Sequence, residues 1–320
     1  MFPNTAAWYP RGTMNDDDIL ALPPRALSQS QRQFYFENGY LLIEGLIEDH
    51  WLSRLRAAVD EIIERSRSMT DSDESIWLEK GHAADDPRLL RLNCPDVHHP
   101  DFWTYAAESV LPDIAADLVG PDVRFSHALL NFKWARVGQE VKWHQDIQFY
   151  PHTNYSPLSI GTLLEDVGPD QGPVRAVPAS HKGDVYRHYT DDNVWTACIQ
   201  DRDLEDLRVD EAPLLMGPAG SVTVHNCRTV HGSDPNRSDR GRPLLVNTYT
   251  AADAFPYTYL PQRSANTGTI VRGEPAAYAR HDPRPCPMPP DWSGGFSVNN
   301  AATGDIRGDA DDRSVRDPLP

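Results

Sequence analysis

The chain has 320 residues, of which 39% are hydrophobic and 24% charged, so its composition is that of an ordinary globular protein. A formal net charge of −17 supplies no basic surface of the kind that binds nucleic acid or an anionic membrane. Four scattered cysteines without a Cys-x-x-Cys pair argue against a disulfide scaffold or a zinc ribbon. Because no signal peptide or membrane span stands out, we expect a cytoplasmic location.

The first third of the chain predicts helices. Residues 1–27 lack periodicity and are expected to form an irregular arm. Helical signals follow, among them a Ser cap before the first helix and a Gly stop after it, together with one short strand. The predicted helices cover 28–38, 48–67 and 102–118, and the strand covers 40–43. Residues 68–101 have weak periodicity and mixed charge, which favours a covering loop or lid that includes Trp77, Arg88 and Arg91.

From about residue 122, short apolar runs alternate with turns that contain Gly and Pro. The predicted strands cover 123–137, 158–165, 174–177, 221–225 and 243–250. Many short strands after an early helical part indicate a mainly β fold, a sandwich or barrel with flanking helices. We expect a single domain over 28–285 and a loosely structured tail over 286–320.

The tetrapeptide W-H-Q-D at 143–146 contains the main chemical signal. Residues two apart in a strand point to the same face, so His144 and Asp146 are predicted to project together into a barrel interior. Two histidines and one carboxylate on one face of a metal leave positions open, as in non-haem iron(II) sites that activate oxygen. His231 is the candidate for the third ligand.

A His-x-Asp pair alone has little weight, because about one is expected by chance in a chain with this many His and Asp residues. A second copy occurs at His99 and Asp101, just before a predicted helix, where Asp101 is more simply a helix N-cap. The sequence around His144 and Asp146 is what distinguishes that pair from the second one.

Several further motifs occur in order around the pair. Residues 172–181 read G-P-V-R-A-V-P-A-S-H, and 231–233 read His-Gly-Ser, followed by Arg242 at the start of a strand. Together with W-H-Q-D and the helix-strand-helix region at 28–67, these motifs resemble the phytanoyl-CoA dioxygenase family of 2-oxoglutarate oxygenases. The resemblance extends from residue 28 to about residue 250.

The resemblance implies a double-stranded β-helix, also called a jelly roll, which is a cupin-like fold. It implies iron(II) held by His144, Asp146 and His231, with 2-oxoglutarate as co-substrate and O2 as oxidant. The family's arginine for the distal carboxylate corresponds to Arg242 and its partner hydroxyl to Ser233, and a guanidinium suits a carboxylate as a bidentate fork. Arg237 and Arg240 are nearby rivals, and Lys133 is a possible helper.

Polar residues on the strands before and after the metal motif are further candidates. Asn131 and His127 are four apart and share a face of the strand at 123–137. In relatives a polar pair here touches the co-substrate, although His127 departs from the glutamine that is often found. Thr162, on the next strand, is a third candidate for co-substrate binding. Their alternative role is that of polar side chains satisfied by backbone partners in a crowded barrel.

The substrate is specified only in outline. The residues that flank the metal motif are predicted to line its pocket, namely Trp143, Gln148, Phe149 and Tyr150. We expect a small-molecule substrate, either a natural product or an amino-acid-like compound. His225 resembles a further ligand but lacks the Gly-Ser that follows His231.

The carboxylate Asp146 bears on the reaction type. Halogenating relatives replace this ligand by a small residue, so its presence favours hydroxylation, although desaturation, epoxidation and ring closure use the same ligands. One rival function is a metal-dependent hydrolase, isomerase or lyase on a cupin-like barrel, which would not need Arg242 and Ser233. The other is a non-catalytic jelly-roll binding protein, which would not need the metal ligands.

Overall fold

The computed structural model describes residues 14–294. Its helices are α1 (Asp16–Leu20), α2 (Gln29–Asn38), α3 (Asp49–Ser66), α4 (Pro95–His98), α5 (Pro100–Glu108), α6 (Leu111–Val119) and α7 (Asp201–Leu204). Its strands are β1 (Tyr40–Ile43), β2 (Ile76–Leu78), β3 (Leu89–Asn93), β4 (Val123–Lys133), β5 (Val141–His144), β6 (Leu158–Leu163), β7 (Val174–Ala176), β8 (Leu214–Leu215), β9 (Val222–Asn226), β10 (His231–Ser233), β11 (Arg242–Ala251) and β12 (Ile270–Arg272).

The strands form two antiparallel sheets. The larger has the order β1-β9-β6-β11-β4-β3-β2, with β12 paired to β4, and the smaller has the order β5-β10-β7-β8. Apolar side chains of α3, α5 and α6 pack on one face of the larger sheet and form the main core. The other face looks toward the smaller sheet across a cavity. This arrangement confirms the predicted mainly β fold with flanking helices.

The first predicted helix is confirmed, with the expected ends. Ser28 accepts a hydrogen bond from the backbone N–H of Gln31, whose side chain accepts from the N–H of Ser28 in return. Gly39 ends α2 in the left-handed region with φ 82°, which a glycine adopts without a steric cost.

Residues 102–118 were predicted to form one continuous helix, and this prediction is wrong. The backbone of Ser109 is extended, with φ −73° and ψ −170°, and this residue ends α5. Pro112 lies in the first turn of α6, where the missing N–H of proline has no helical partner to lose. The segment is therefore two short helices.

Residues 68–101, which were expected to form a covering loop or lid, contain two paired strands. Strand β3 pairs with β4, with Arg91 directly opposite Asn131, and β2 pairs with β3 at the edge of the larger sheet. Trp77 is fully buried. This segment is thus an integral part of the sheet, because its apolar side chains complete the core.

Both ends of the described range are more ordered than expected. Helix α1, capped by Asn15, lies within the arm predicted to be irregular. At the other end, Trp292 is buried and its indole donates a hydrogen bond to the carbonyl of Phe149. The first part of the predicted tail therefore packs on the domain, and residues 295–320 lie outside the described range. Within residues 14–294, no helix has the length and apolarity needed to cross a bilayer.

Candidate active site

A cavity opens between the two sheets, and strands from both supply its walls. The larger sheet contributes inward side chains from β3, β4, β6, β9 and β11, and the smaller sheet contributes residues of β5, β7 and β10. Polar groups concentrate at two places on these walls. One is a cluster of histidines with a carboxylate, and the other is a lysine and an arginine with a hydroxyl.

The structure brings together the three predicted metal ligands. His144, Asp146 and His231 each present one ligand atom, and these atoms lie within 4.8 Å of one another. Both Nε2 atoms lie 3.7 Å from Oδ1 of Asp146. His144 and His231 are cross-strand partners on β5 and β10, whereas Asp146 begins a 3-10 turn after β5 instead of continuing the predicted strand. The convergence therefore depends on sheet pairing and on this turn.

Hydrogen bonds orient both histidine rings. Nδ1 of His144 donates to the carbonyl of Lys142 at 2.8 Å, and Nδ1 of His231 donates to the carbonyl of Thr229 at 2.9 Å. A carbonyl only accepts, so each Nδ1 holds the proton and each Nε2 presents a lone pair toward Asp146. This tautomer is the one that binds a metal through Nε2.

The protonation states of the cluster also suit a cation. Burial lowers the pKa of His144, and it lowers that of His231 well below the usual range, helped by the neighbouring His225. Burial alone would raise the pKa of Asp146, but His231, His225 and His144 outweigh it and hold that pKa well below its usual range. Neutral imidazoles beside an ionised carboxylate form the donor set of a divalent metal.

The second oxygen of Asp146 is held by two residues outside the ligand set. Ser159 donates its hydroxyl to Oδ2 at 2.8 Å, and Nε2 of His225 lies 3.2 Å from the same oxygen. These contacts orient the carboxylate and leave Oδ1 directed at the two histidines. His225 thus lies beside the ligand group without belonging to it. Ser159 was missed by sequence reasoning, which selected Thr162 on the same strand.

The second polar cluster on the cavity wall consists of Lys133, Ser233 and Arg242. Nζ of Lys133 donates to Oγ of Ser233 at 2.6 Å, and Lys133 pairs directly with Arg242 across β4 and β11. Arg242 is 3% exposed, and its buried Nε and Nη1 have no hydrogen-bond partner in the described part of the chain. The rivals Arg237 and Arg240 are exposed and do not line the cavity. Unpaired buried donors of this kind fit an anionic ligand.

Burial changes the charge of this cluster. Burial, followed by the nearby Arg242, lowers the pKa of Lys133 to about 6, so this amine is mainly neutral at pH 7. Burial also lowers the pKa of Arg242, to about 10, which leaves the guanidinium charged. An arriving carboxylate would favour the charged form of both groups.

Four other predicted residues line the cavity. Asn131 accepts a hydrogen bond from Nε of Arg91 at 2.7 Å. The rings of Phe149 and Tyr150 contact those of His144 and His127 edge-on, at centroid distances of 5.8 and 4.8 Å. Burial lowers the pKa of His127 to about 4, so its ring is neutral. These side chains form part of the wall of the cavity.

The structure does not bring the remaining three candidates to the cavity. Thr162 faces the helices and hydrogen-bonds with the hydroxyl of Tyr105 at 2.8 Å, because the alternation of β6 places Ser159 on the inner face instead. Trp143 lies on the outer face of β5, beside Arg175. Gln148 is buried in the 3-10 turn and donates to the carbonyl of Pro287 at 3.3 Å.

The position of Thr162 yields a prediction about stability. Thr162→Val keeps the side-chain shape but leaves the buried hydroxyl of Tyr105 without its partner, so we expect a loss of about 1–3 kcal/mol in the free energy of unfolding. Denaturant unfolding measures this loss, and adding Tyr105→Phe should recover part of it. A change in 2-oxoglutarate affinity without a loss of stability would instead place Thr162 in the site.

Comparison with known proteins assigns the family. The family model described as Phytanoyl-CoA dioxygenase (PhyH) matches residues 35–244. A protein of Stutzerimonas stutzeri named probable alpha-ketoglutarate-dependent hypophosphite dioxygenase is 30% identical over 264 residues, which cover 81% of this chain and 91% of that protein. The peroxisomal phytanoyl-CoA dioxygenase of Rattus norvegicus is 26% identical over 265 residues, covering 78% of this chain and 75% of that one.

Solved structures agree on the fold. EctD from S. alaskensis, crystallised with 2-oxoglutarate and 5-hydroxyectoine, superposes with a TM-score of 0.62 at 22% identity, covering 80% of this chain and 88% of that one. The non-heme alpha ketoglutarate dependent carbocyclase SnoK gives a TM-score of 0.56 at 25% identity, covering 79% and 97%. Taken with the family match and the donor set between the sheets, the chain belongs to the phytanoyl-CoA dioxygenase family and is an iron(II)- and 2-oxoglutarate-dependent dioxygenase.

Proposed function

We propose that the enzyme hydroxylates an unactivated C–H bond of a small molecule, a natural product or an amino-acid-like compound, and releases succinate and CO2. The observation that supports this most is the presence of Asp146 between His144 and His231, since a carboxylate in that position favours hydroxylation. Bound together, iron(II) and 2-oxoglutarate supply the oxidising power for attack on a C–H bond, and the protein supplies position and shielding from water.

Each part of the cavity wall has a role in this proposal. His144, Asp146 and His231 would hold the iron. Arg242 and Ser233 would bind the distal carboxylate of 2-oxoglutarate, with Lys133 donating beside them. Each of these groups is fixed by burial or by hydrogen bonds before a ligand arrives, which reduces the cost of ordering them on binding.

On the substrate side, the wall has two aromatic rings and two polar groups. Phe149 and Tyr150 offer apolar surface next to the metal ligands, while His127 and Asn131 offer hydrogen bonds. The neutral ring of His127 can donate or accept but adds no charge. We assign these four residues to aiming the substrate, with Asn131 also in reach of the co-substrate.

Lys133 makes the binding of 2-oxoglutarate pH-dependent. The pKa of its amine is lowered to about 6, so the amine is mainly neutral above that pH in the protein without 2-oxoglutarate. An arriving carboxylate raises this pKa again. We expect 2-oxoglutarate binding near pH 8 to take up a proton and to weaken as the pH rises from about 6. Anaerobic calorimetry in buffers of different ionisation enthalpy measures this uptake.

The variant Lys133→Met, which keeps the length of the side chain without its charge, serves as the comparison. We expect it to bind 2-oxoglutarate more weakly, with less proton uptake than the wild type near pH 8. Equal proton uptake in the two proteins would remove Lys133 from the co-substrate site.

The proposed reaction is tested by a substrate screen under oxygen. The purified enzyme, iron(II) and 2-oxoglutarate are incubated with amino acids and natural products, and succinate is measured beside the mass of each compound. The expected hit raises succinate release and gains one oxygen atom from labelled O2. A hit that loses two hydrogens without gaining oxygen would show desaturation or ring closure instead.

A second candidate reaction is the oxidation of hypophosphite to phosphite. It is favoured by the relative of that name, which is 30% identical and matched over 91% of its length. This reaction replaces a P–H bond by P–OH, with the same consumption of O2 and 2-oxoglutarate. Phosphorus NMR of the reaction mixture distinguishes it, because phosphite formed in step with succinate would identify hypophosphite as a substrate.

A further inference from the structure

Arg91 is a cation in the wall of the active-site cavity. It is not one of the residues proposed to bind 2-oxoglutarate. It lies on β3 directly opposite Asn131 of β4, and its Nε donates to Oδ1 of that residue at 2.7 Å. Its guanidinium stacks over the buried ring of Trp77, with 5.1 Å between Cζ and the ring centroid. One edge of the group is thus fixed by Asn131 and one face by Trp77.

The charge of Arg91 has no close partner among the described residues. Within residues 14–294, no carboxylate oxygen lies within 4 Å of its guanidinium, and Nε is the only one of its nitrogens with a hydrogen bond. Burial lowers its pKa to about 10, and the negative charge of Asp146 opposes that shift, so the group stays charged at neutral pH. The terminal nitrogens are therefore available to a ligand in the cavity.

With iron(II) and 2-oxoglutarate bound, the other charges of the site do not balance the charge of Arg91. Two carboxylates of 2-oxoglutarate and that of Asp146 contribute three negative charges. Iron(II) and Arg242 balance those three, and Lys133 adds a further positive charge when the co-substrate protonates it. The positive charge of Arg91 is then uncompensated in a partly desolvated cavity, where an unpaired charge is costly. A negative group on the substrate would pair with it.

We propose that Arg91 binds an oxyanionic group of the substrate, a carboxylate or a phosphorus oxyanion, and so places the reacting bond near the metal ligands. This inference rests on the proposed function and names its substrate class. The free edge of a guanidinium matches two oxygens of one anion as a fork, and the stacking on Trp77 fixes the plane of that fork. A neutral isostere of the same substrate would leave Arg91 unpaired.

The test measures ligand binding to the wild-type enzyme loaded with iron(II) and saturating 2-oxoglutarate, without oxygen. The probes are acetate, propionate and butyrate, each beside its neutral amide, together with hypophosphite and phosphite. Binding is followed through the change in the visible absorption of the loaded enzyme. We expect at least one carboxylate to bind more tightly than its own amide, or at least one of the two phosphorus anions to bind more tightly than every amide.

Three variants provide the comparison. Arg91→Gln should weaken binding of that oxyanion by about tenfold or more, the scale of a hydrogen bond to a charged group, while Arg91→Lys should recover part of the affinity. Arg88→Gln removes the same charge three residues earlier, where the side chain pairs with Asp86 and does not line the cavity. We expect this control to behave as the wild type.

The outcomes separate this inference from the proposed function. A wild-type enzyme that forms no complex with iron(II) and 2-oxoglutarate defeats the proposed function. If the complex forms normally but shows no preference for oxyanions, the assignment of Arg91 is overturned. The assignment is also overturned if Arg91→Gln weakens only the binding of 2-oxoglutarate. Preference for a carboxylate or for a phosphorus anion, lost in Arg91→Gln, supports the assignment and identifies which kind of oxyanion the site takes.

Discussion

Replacing Arg242 by alanine is expected to weaken the binding of 2-oxoglutarate by about 100-fold, because truncating one side of a buried charged pair costs about 2–5 kcal/mol. Among the described residues, Nε and Nη1 of this side chain are buried without hydrogen-bond partners, so they are already in position for a carboxylate. Lys133 alone cannot replace the fork, since an ammonium lacks the bidentate geometry of a guanidinium. Anaerobic titration of the iron-loaded variant measures the affinity.

Two variants control for this experiment. Arg240→Ala removes an exposed arginine two residues away, which interacts with Gln171 and does not line the cavity, and it should leave the affinity unchanged. Arg242→Lys should give an intermediate affinity, because an ammonium keeps the charge but loses the bidentate geometry. If Arg242→Ala and Arg240→Ala bound 2-oxoglutarate equally well, the clamp would have to lie elsewhere in the cavity.

Asp146→Ala is expected to have the second large effect, the loss of tight iron binding. The side chain is the only carboxylate among the three residues that can hold a metal in the described part of the chain. Its removal should lower the affinity for iron(II) by more than the roughly 10–100-fold that loss of an outer-shell partner costs. Iron content after anaerobic dialysis, together with oxygen-dependent succinate release, measures the effect.

The chain provides a matched control in its second His-x-Asp pair. The carboxylate of Asp101 on α5 pairs with Arg54 of α3, and neither residue lines the cavity, so Asp101→Ala should keep full iron content and activity. A thermal unfolding curve of each variant verifies that it is folded. Retention of wild-type iron affinity by folded Asp146→Ala would contradict the ligand assignment.

Much of the site could be predicted because its signals are local in sequence. The His-x-Asp pair, His231-Gly232-Ser233 and Arg242 each belong to a short motif, and the structure places all of these side chains, except Gly232 which has none, on one cavity. The glycine has a local reason as well, because a Cβ there would lie 2.9 Å from the carbonyl oxygen of Val141. Capping residues likewise predicted both ends of α2.

The site residues that were misplaced depend on long-range pairing between strands. A strand's alternation gives two faces, but which face is inside depends on register with its neighbours, so Thr162 was chosen where Ser159 points inward. Arg91 was expected in a covering lid, and its position on a strand of the cavity wall was not predicted, because the pairing of β3 with β4 has no local sequence signal. By contrast, the alternation around His144 already places Trp143 on the outer face, and this could have been read from the sequence.

The most direct test of the account is the anaerobic addition of iron(II) and 2-oxoglutarate to the purified protein. If His144, Asp146 and His231 hold the metal while Arg242 holds the far carboxylate, a weak visible charge-transfer band should appear with one equivalent of each. The band should be absent in Asp146→Ala and should require much more 2-oxoglutarate in Arg242→Ala. Absence of the band from the wild-type protein, or its full retention in both variants, would contradict the account.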